Sequence, residues 1–315
     1  MRYLTVTPNA AIDTTYILDT FQPGGANRVS QKLEAPGGKG NNVARVLALL
    51  GCDVTATGFV AGRAGEYIED GLRALGIEPR FARAPGESRR CLTLVERDTG
   101  TITEALEPGV KIPPDAAEEL IAQVRALAEG MDAVALCGSL PPGLPPNYYA
   151  QLLDAARPAG SVLALDTGGD ALRRGLAGRP TVIKPNRDEL RELMGREVGM
   201  GETAAFVRRE LLGATMGEGG VVLVSLGAEG ALLIARDQGY RAEAPPVSVV
   251  NTVGCGDALL AGYLSAPTRH DDPAAALARA VATGTAAALH ETAGVVRRED
   301  VESILPLVEC SPLEA

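Results

Sequence analysis

The chain has 315 residues, of which 46% are hydrophobic and 22% are charged, so it is long enough to bury a large globular core. Its formal net charge of -10 and its aromatic content of 3% argue against binding to nucleic acid or to an anionic membrane surface. Neither property excludes a small anionic ligand held by a few local cations.

Cysteine and histidine usage argues against structural zinc, a disulfide framework and a histidine-based catalytic site. The five cysteines are odd in number and form no C-x-x-C pair, and the two histidines form no H-E-x-x-H motif. The N-terminal residues lack the features of a signal peptide, and no apolar run approaches the length of a membrane span. We therefore predict a cytoplasmic protein with reduced thiols.

Short apolar segments alternate with helical segments along most of the chain. The length and β-branched content of the apolar segments predict buried parallel strands over 1–8, 53–60, 132–139, 161–168, 181–186 and 220–227. Apolar residues at helical spacing, often followed by glycine, predict helices over 41–51, 64–76, 115–130 and 188–195. This alternation predicts an α/β fold, a three-layer α/β/α sandwich with helices on both faces of a mostly parallel sheet.

Two segments, 13–36 and 86–110, break this rhythm because their polar and apolar residues alternate one by one. Within the second segment, Asp98–Gly100 is typical of a hairpin turn. We predict that both segments form a small β-sheet lid, while the main domain comprises residues 1–12, 37–85 and 111–315. On the lid, Arg89 and Arg90 fit either a phosphate clamp or a solvated strand face.

The segment PGGKGNN, residues 36–42, places glycines and Lys39 directly before a predicted helix. Glycines at this position let backbone amides approach an anion, and both the helix N-terminus and Lys39 add positive potential. Taken alone, the segment fits an ordinary tight loop equally well. It is not a P-loop, because Gly40 follows Lys39 where that motif requires Ser or Thr.

The segment NTVGCGDALLAG, residues 251–262, has the same organisation near the end of the chain. Its core, 254–256, would aim several backbone amides at one point, with Thr252 before it and Asp257 after it. The segment is not a dinucleotide-binding fingerprint, because Leu259 stands where that pattern requires Gly. Taken alone, Asp257 fits a reactive carboxylate, and it also fits the commoner role of a helix cap.

The segment KPNRDEL, residues 184–190, spans a predicted strand end and the first turn of a helix. Asn186 and Glu189 are three residues apart, so they share one face of that helix. An amide and a carboxylate there would organise water around Mg²⁺, which keeps much of its hydration shell. A capping box would use the same two residues.

Five motifs in order resemble those of the ribokinase-like sugar kinases, and within them the phosphofructokinase B branch. They are PGGKGNNVA, GSLPPG, KPNRDEL, SLGAEGA and NTVGCGD, and they are closest to 1-phosphofructokinases and tagatose-6-phosphate kinases. The resemblance implies a ribokinase-like sandwich with a β-sheet lid and transfer of the γ-phosphoryl group of ATP to a sugar-phosphate hydroxyl. It also implies Mg²⁺ as a cofactor and a homodimer formed through the lid.

The resemblance also implies a role for each matching residue. Asp257 matches the general base of the family. The family's anion hole is matched by the amides of Gly254, Cys255 and Gly256. The sugar phosphate would be held by Asp13, Gly38, Lys39, Asn42, Arg89, Arg90 and Ser139. The nucleotide would be held by Lys184, Asn186, Ser225, Gly227, Gly230 and Thr252. Asn186 and Glu189 match the N-x-x-E pair that organises Mg²⁺ through water and phosphates.

The glycine loop also bears on the substrate. Where this chain has GGKG, 6-phosphofructokinases of the branch resemble GGGG, so Lys39 favours the fructose-1-phosphate and tagatose-6-phosphate groups over them. We predict conversion of fructose 1-phosphate to fructose 1,6-bisphosphate, with tagatose 6-phosphate or fructose 6-phosphate as alternative substrates. A non-catalytic sugar-phosphate sensor is a remoter alternative, against which an intact Asp257 argues. Cys255 stands where the family usually carries Ala, and since a helix N-terminus lowers a thiol pKa, we expect it to oxidise readily.

Overall fold

The segments predicted as buried strands form one large sheet, and those with polar–apolar alternation form a second, smaller one. The computed structural model describes residues 1–195, 200–213, 215–217, 219–269 and 271–313. The strands in this part of the chain are β1 (Arg2–Thr7), β2 (Ala11–Leu18), β3 (Gln31–Gly37), β4 (Asp53–Val60), β5 (Glu78–Pro79), β6 (Ala82–Arg83), β7 (Arg89–Glu96), β8 (Ile102–Leu106), β9 (Ala133–Cys137), β10 (Val162–Asp166), β11 (Val182–Ile183), β12 (Val221–Ser225), β13 (Ala231–Ile234), β14 (Gly239–Glu243) and β15 (Glu309–Pro312).

Helices follow most strands of the large sheet, and each predicted helix is present with its ends shifted by one to three residues. The helices within the described residues are α1 (Lys39–Leu49), α2 (Gly62–Ala74), α3 (Pro114–Leu127), α4 (Tyr148–Ala156), α5 (Gly169–Gly175), α6 (Arg187–Met194), α7 (Met200–Phe206), α8 (Cys255–Ser265), α9 (Pro273–Ala287) and α10 (Arg298–Ile304). None of them has the length and apolarity needed to cross a lipid bilayer.

The large sheet has the strand order β15-β14-β13-β12-β11-β10-β9-β1-β4-β5, and β6 also pairs with β4. From β12 to β5 every pairing is parallel, whereas β12 to β15 are antiparallel neighbours. Successive residues of a strand point to opposite faces, so Tyr3 joins one core cluster and Leu4 the other. Helices α1, α2, α8, α9 and α10 cover the first face, and α3 to α7 cover the second. This is the predicted three-layer α/β/α sandwich.

The small sheet has the order β3-β2-β7-β8, in which β2 and β7 pair in parallel. The hairpin predicted at Asp98–Gly100 is confirmed, because β7 and β8 are antiparallel and Gly100 turns the chain at φ +68°. The sheet begins at Ala11 and ends its first hairpin at Gly37, slightly outside the predicted segment 13–36. Ala11 and Ile12 are both buried and pair with Gly37 and Pro36 of β3, so β2 begins two residues before the predicted segment. The division into two domains stays a prediction.

Candidate active site

A cleft of about 470 Å³ lies between the small sheet and the carboxyl ends of the parallel strands. Parallel strands end at one edge of a sheet, so segments that are distant in sequence meet there. The predicted site residues that line the cleft are Asp13, Gly38, Lys39, Asn42, Arg89, Ser139, Lys184, Asn186, Glu189, Ser225, Gly254, Gly256 and Asp257. Those that do not line it are Arg90, Gly227, Gly230, Thr252 and Cys255.

Helix α8 begins at the glycine-rich segment with no side chain capping its first turn. Gly254 is the N-cap residue in a left-handed conformation at φ +83°, and a Cβ there would lie 2.8 Å from the Cβ of Ala293. The first N–H groups of a helix have no partner within the helix. Because Gly254 and Gly256 both line the cleft, an anion in the cleft can approach these amides without meeting a side chain.

The carboxylate of Asp257 lies in the first turn of α8 and is only 5% exposed. Its Oδ2 accepts a hydrogen bond from Nδ2 of Asn42 at 2.9 Å, so the helix-cap alternative does not describe this residue. Burial, and then the negative charge of Asp166, raise the pKa of Asp257 to about 7, although Lys39 and the bond from Asn42 act in the opposite direction. A carboxylate of this pKa can accept a proton near neutral pH.

Asp166, which the sequence motifs did not single out, lies between two lysines of the cleft. It is fully buried at the end of β10, with Oδ1 3.4 Å from Nζ of Lys39 and Oδ2 3.2 Å from Nζ of Lys184. Burial opposes ionisation of Asp166, but the two lysines together hold its pKa below the ordinary value. Asp166 in turn raises the pKa of Lys39 more than any other group does. The signal in the sequence that could have identified Asp166 is its position at the end of a predicted strand.

Asn186 and Glu189 form the capping box that begins α6. Glu189 N–H donates to Oδ1 of Asn186 at 2.8 Å, and Asn186 N–H donates to Oε2 of Glu189 at 2.9 Å. Both residues also line the cleft, where Oε1 of Glu189 lies 3.8 Å from Nζ of Lys39. The described residues contain no group of three or more His, Cys, Asp or Glu arranged to bind a metal directly. The donor set therefore fits Mg²⁺ held mainly by water and phosphates.

Asp13 projects from β2 toward the glycine turn that follows β3. A Cβ on Gly37 would overlap the carboxylate of Asp13, and Gly38 has φ +94°, so both positions require glycine. Burial raises the pKa of Asp13 to about 6, against the effects of a hydrogen bond from the Gly38 amide and of nearby arginines. In its ionised form this carboxylate can accept a hydrogen bond from a hydroxyl group in the cleft, and sugar binding by Asp13 stays a prediction.

Arg89 and Arg90 lie on opposite faces of β7, as neighbouring residues of a strand must. Arg89 faces the cleft, where its Nε donates to the Asn9 carbonyl at 3.2 Å and its Nη1 to the Glu107 carbonyl at 2.9 Å. Arg90 lines a different cavity on the outer face, and its Nη1 lies 2.7 Å from Oε1 of Glu34. The structure therefore does not bring Arg90 to the cleft.

Ser139 follows β9 after a turn that Gly138 makes at φ +98°. The carbonyl of Gly138 accepts a hydrogen bond from the hydroxyl of Tyr149 at 2.7 Å, and Oγ of Ser139 accepts one from Nδ2 of Asn9 at 3.1 Å. These bonds fix Ser139 at the wall of the cleft. Asn251 and Val253 of the segment 251–262 also line the cleft, and the wall residues that the sequence did not single out are Thr15, Cys91, Thr93, Glu104, Leu106, Thr292 and Ala293.

The segments predicted to hold a nucleotide lie side by side at the end of β12. Asn186 and Ser225 pair as an isolated parallel bridge, so the KPN and SLG motifs are adjacent. Beyond Ser225, Gly227–Glu229 form a tight turn, and a Cβ on Gly230 would overlap the Ala242 carbonyl. Nucleotide binding by these residues stays a prediction, as does that by the exposed Thr252.

The structure corrects the prediction that Cys255 has a thiol of lowered pKa that oxidises readily. Its Sγ lies 3.8 Å from the carbonyl of Asn251, and Cys255 does not line the cleft. Burial raises the pKa of Cys255 to about 11, and the charge of Asp257 adds to the effect. The helix start does act on a thiolate, but burial removes the water that a thiolate needs and outweighs it here.

Comparison with known proteins assigns the chain to a family. Residues 2–298 match the pfkB family carbohydrate kinases. The tagatose-6-phosphate kinase of Staphylococcus epidermidis is 35% identical over 310 residues, which cover 97% of this chain and 98% of that relative. A putative phosphofructokinase from Staphylococcus aureus has a TM-score of 0.79 and 32% identity over the whole of both chains. The tetrameric inhibited form of phosphofructokinase-2 from Escherichia coli has a TM-score of 0.88 and 28% identity over 97% and 98% of the two chains.

The fold and the family match define a phosphotransferase that acts on a sugar hydroxyl. The chain belongs to the pfkB family of carbohydrate kinases, with a ribokinase-like α/β/α sandwich and an additional small sheet.

Proposed function

We propose that the chain transfers the γ-phosphoryl group of ATP to a ketohexose phosphate. The observation that carries this proposal is a buried carboxylate, Asp257, with a pKa of about 7 at a glycine-lined helix start. When bound, ATP supplies the phosphoryl group, and Mg²⁺ offsets the charge of its phosphates. Asp257 takes the proton of the acceptor hydroxyl, and the amides of 254–256 stabilise charge on the group in transit.

A six-carbon ketose phosphate suits a cleft with a guanidinium on one wall and a base on the other. Fructose 1-phosphate presents its C6 hydroxyl and tagatose 6-phosphate its C1 hydroxyl, so in both the acceptor and the phosphate are at opposite ends of the carbon chain. In the proposal, Arg89 holds the phosphate, Asp13 accepts a hydrogen bond from a sugar hydroxyl, and Lys39 neutralises charge between them. Lys39 in GGKG favours both of these substrates over fructose 6-phosphate, and fructose 1-phosphate is the first candidate. The S. epidermidis relative favours tagatose 6-phosphate as the second.

The small sheet is proposed to act as a lid over the bound sugar. Its inner face supplies seven of the residues that line the cleft, so its movement would open or close the cleft to water. Excluding water limits hydrolysis of ATP in place of transfer to the sugar.

The outer face of the small sheet is proposed to pair with a second copy of the chain, since an open cavity of about 710 Å³ there is lined in part by Tyr16 and Leu92. A Leu92→Glu variant that keeps the native mass in sedimentation would contradict the pairing.

An ADP-release assay with fructose 1-phosphate, tagatose 6-phosphate, fructose 6-phosphate and ribose tests the proposed reaction. We expect the highest kcat/KM with one of the two leading ketohexose phosphates. We expect turnover to be lost in the Asp257→Asn variant. Preference for ribose would contradict phosphate recognition by Arg89. No turnover on any sugar would overturn the proposal and favour the sugar-phosphate sensor.

A further inference from the structure

Arg45 is a buried arginine on α1, one turn after Asn42, that the proposed chemistry does not use. It is 6% exposed, and its Nη1 donates to the carbonyl of Ala293 at 2.8 Å and to that of Pro36 at 3.3 Å. Among the described residues, no carboxylate lies within ion-pair distance of the guanidinium, and its buried Nε has no hydrogen-bond partner. The charge that acts most strongly on Arg45 is Asp13, which lies outside ion-pair distance. A buried charge without a close counter-ion is costly, so an apolar side chain would suit the core better.

The two carbonyls that Arg45 binds belong to segments that lead into two walls of the cleft, which Gly38 and Ala293 line. Pro36 precedes the glycine turn against which the carboxylate of Asp13 rests, on the side proposed for the sugar. Ala293 lies in the loop between α9 and α10 and packs against Gly254, on the side proposed for the γ-phosphate. One guanidinium therefore connects the two walls from behind.

The loop that carries Ala293 is fitted closely onto α1. Gly294 has φ +69°, and a Cβ there would lie 3.0 Å from Oδ1 of Asn42 and 3.1 Å from Nη1 of Arg45. The loop backbone reaches these side chains only because this residue is glycine. The contact to Asn42 matters because Nδ2 of the same amide bonds Asp257.

We propose that Arg45 is a positioning residue that sets the distance between the sugar-side turn and the phosphate-side loop. A guanidinium presents its donors in a rigid plane, so one side chain fixes the relative placement of the Pro36 and Ala293 carbonyls. Arg45 does not line the cleft, so it acts on the site through these two contacts and through its charge, which favours the ionised form of Asp13. The inference rests on the proposed assignment of the two walls to sugar and γ-phosphate.

The test compares Arg45→Met, which keeps the bulk of the side chain and removes its donors, with the wild type. The KM for the preferred sugar phosphate is expected to rise about tenfold or more and kcat to fall, because small displacements of reacting groups are costly. The dissociation constant for ATP is expected to stay within about twofold, because the predicted nucleotide segments at 184–186 and 225–230 do not touch Arg45. Leu120→Ala, in the core on the other face of the sheet, is the matched destabilised control and should leave the sugar-phosphate KM unchanged.

Arg45→Lys provides the same comparison if Arg45→Met does not yield folded protein. Lysine keeps a positive charge near Asp13, but its ammonium does not hold two N–H groups in the fixed plane of Nη1, so the sugar-phosphate KM should again rise. An unchanged KM in a folded variant would overturn the inference, as would equal losses of sugar and ATP affinity. If the wild type turns over no sugar phosphate, the proposed function fails instead, and the two failures are distinguishable.

Discussion

The side-chain amide of Asn42 donates to Oδ2 of Asp257 at 2.9 Å, joining residues that are 215 positions apart in the chain. The bond orients the carboxylate and favours its charged form, while burial and Asp166 favour the protonated form. The balance leaves the pKa of Asp257 near neutral pH, where a general base is most effective.

Replacing Asp257 by Asn should abolish turnover without preventing nucleotide binding. Loss of a general base lowers kcat by about 10²–10⁴-fold, whereas the amides at the start of α8 remain in place. Turnover and ATP binding by calorimetry measure the two effects, with the exposed Asp154→Asn as a control. A kcat within about tenfold of the wild type would show that Asp257 is not the base.

The stability of the free protein should fall as pH rises from about 4 to 7. The pKa of Asp257 is 3.8 in an ordinary setting and about 7 in the fold, so in this interval the unfolded chain loses its proton first. The stabilising contribution of the protonated form is complete below the unfolded pKa and is lost as pH passes the folded pKa. Urea unfolding should show a flatter dependence for Asp257→Asn than for the wild type. Parallel curves would contradict the raised pKa.

Two substitutions beside Asp257 should shift the acid limb of the kcat profile in opposite directions. Asn42→Leu removes a hydrogen bond to the charged carboxylate, so the pKa of Asp257 rises and the limb moves to higher pH. Asp166→Asn removes a nearby negative charge, so the limb moves to lower pH. The profiles are measured at saturating substrates. Shifts of the same sign would show that the limb reports another group.

Arg89→Ala should raise the KM for the sugar phosphate far more than the KM for ATP, because this guanidinium faces the cleft from the small sheet. Arg90→Ala is a matched control, with the same residue type at the adjacent position on the outer face. Steady-state kinetics of both variants with the preferred substrate measure the difference. Equal effects of the two substitutions on the sugar-phosphate KM would place Arg90 in the site as well.

Cys255→Ala should leave the rate of inactivation by hydrogen peroxide unchanged. With a pKa raised to about 11, the thiol contains very little of the reactive thiolate near neutral pH. Cys91, which lines the cleft, has a pKa raised to about 11 by burial and is expected to behave similarly. Slower inactivation of the Cys255→Ala variant would restore the sequence-based prediction.

Local patterns were sufficient for the architecture and for the segments that form the cleft. Segments such as AVALC, residues 133–137, are apolar on both faces, as strands covered by helices on both sides must be. The residues that follow such parallel strands meet at one edge of the sheet. Asp166 ends a strand of this kind, so its place was within reach of the same rule. The glycines at 37 and 254 predicted tight turns before helices, whereas the close approach to Asp13 and to Ala293 that excludes a Cβ there is visible only in the structure.

The charge state of the site was decided by tertiary contacts. The sequence by itself determined that Asp257 stands at a helix start, but its pKa depends on burial and on Asn42, Asp166 and Lys39, which come from distant segments. Alternation along β7 requires that Arg89 and Arg90 face opposite ways, and only the packing of the small sheet over the large one decides which of them meets the cleft. The thiol of Cys255 follows the same principle, because desolvation depends on what surrounds a group in space and not on its neighbours in sequence.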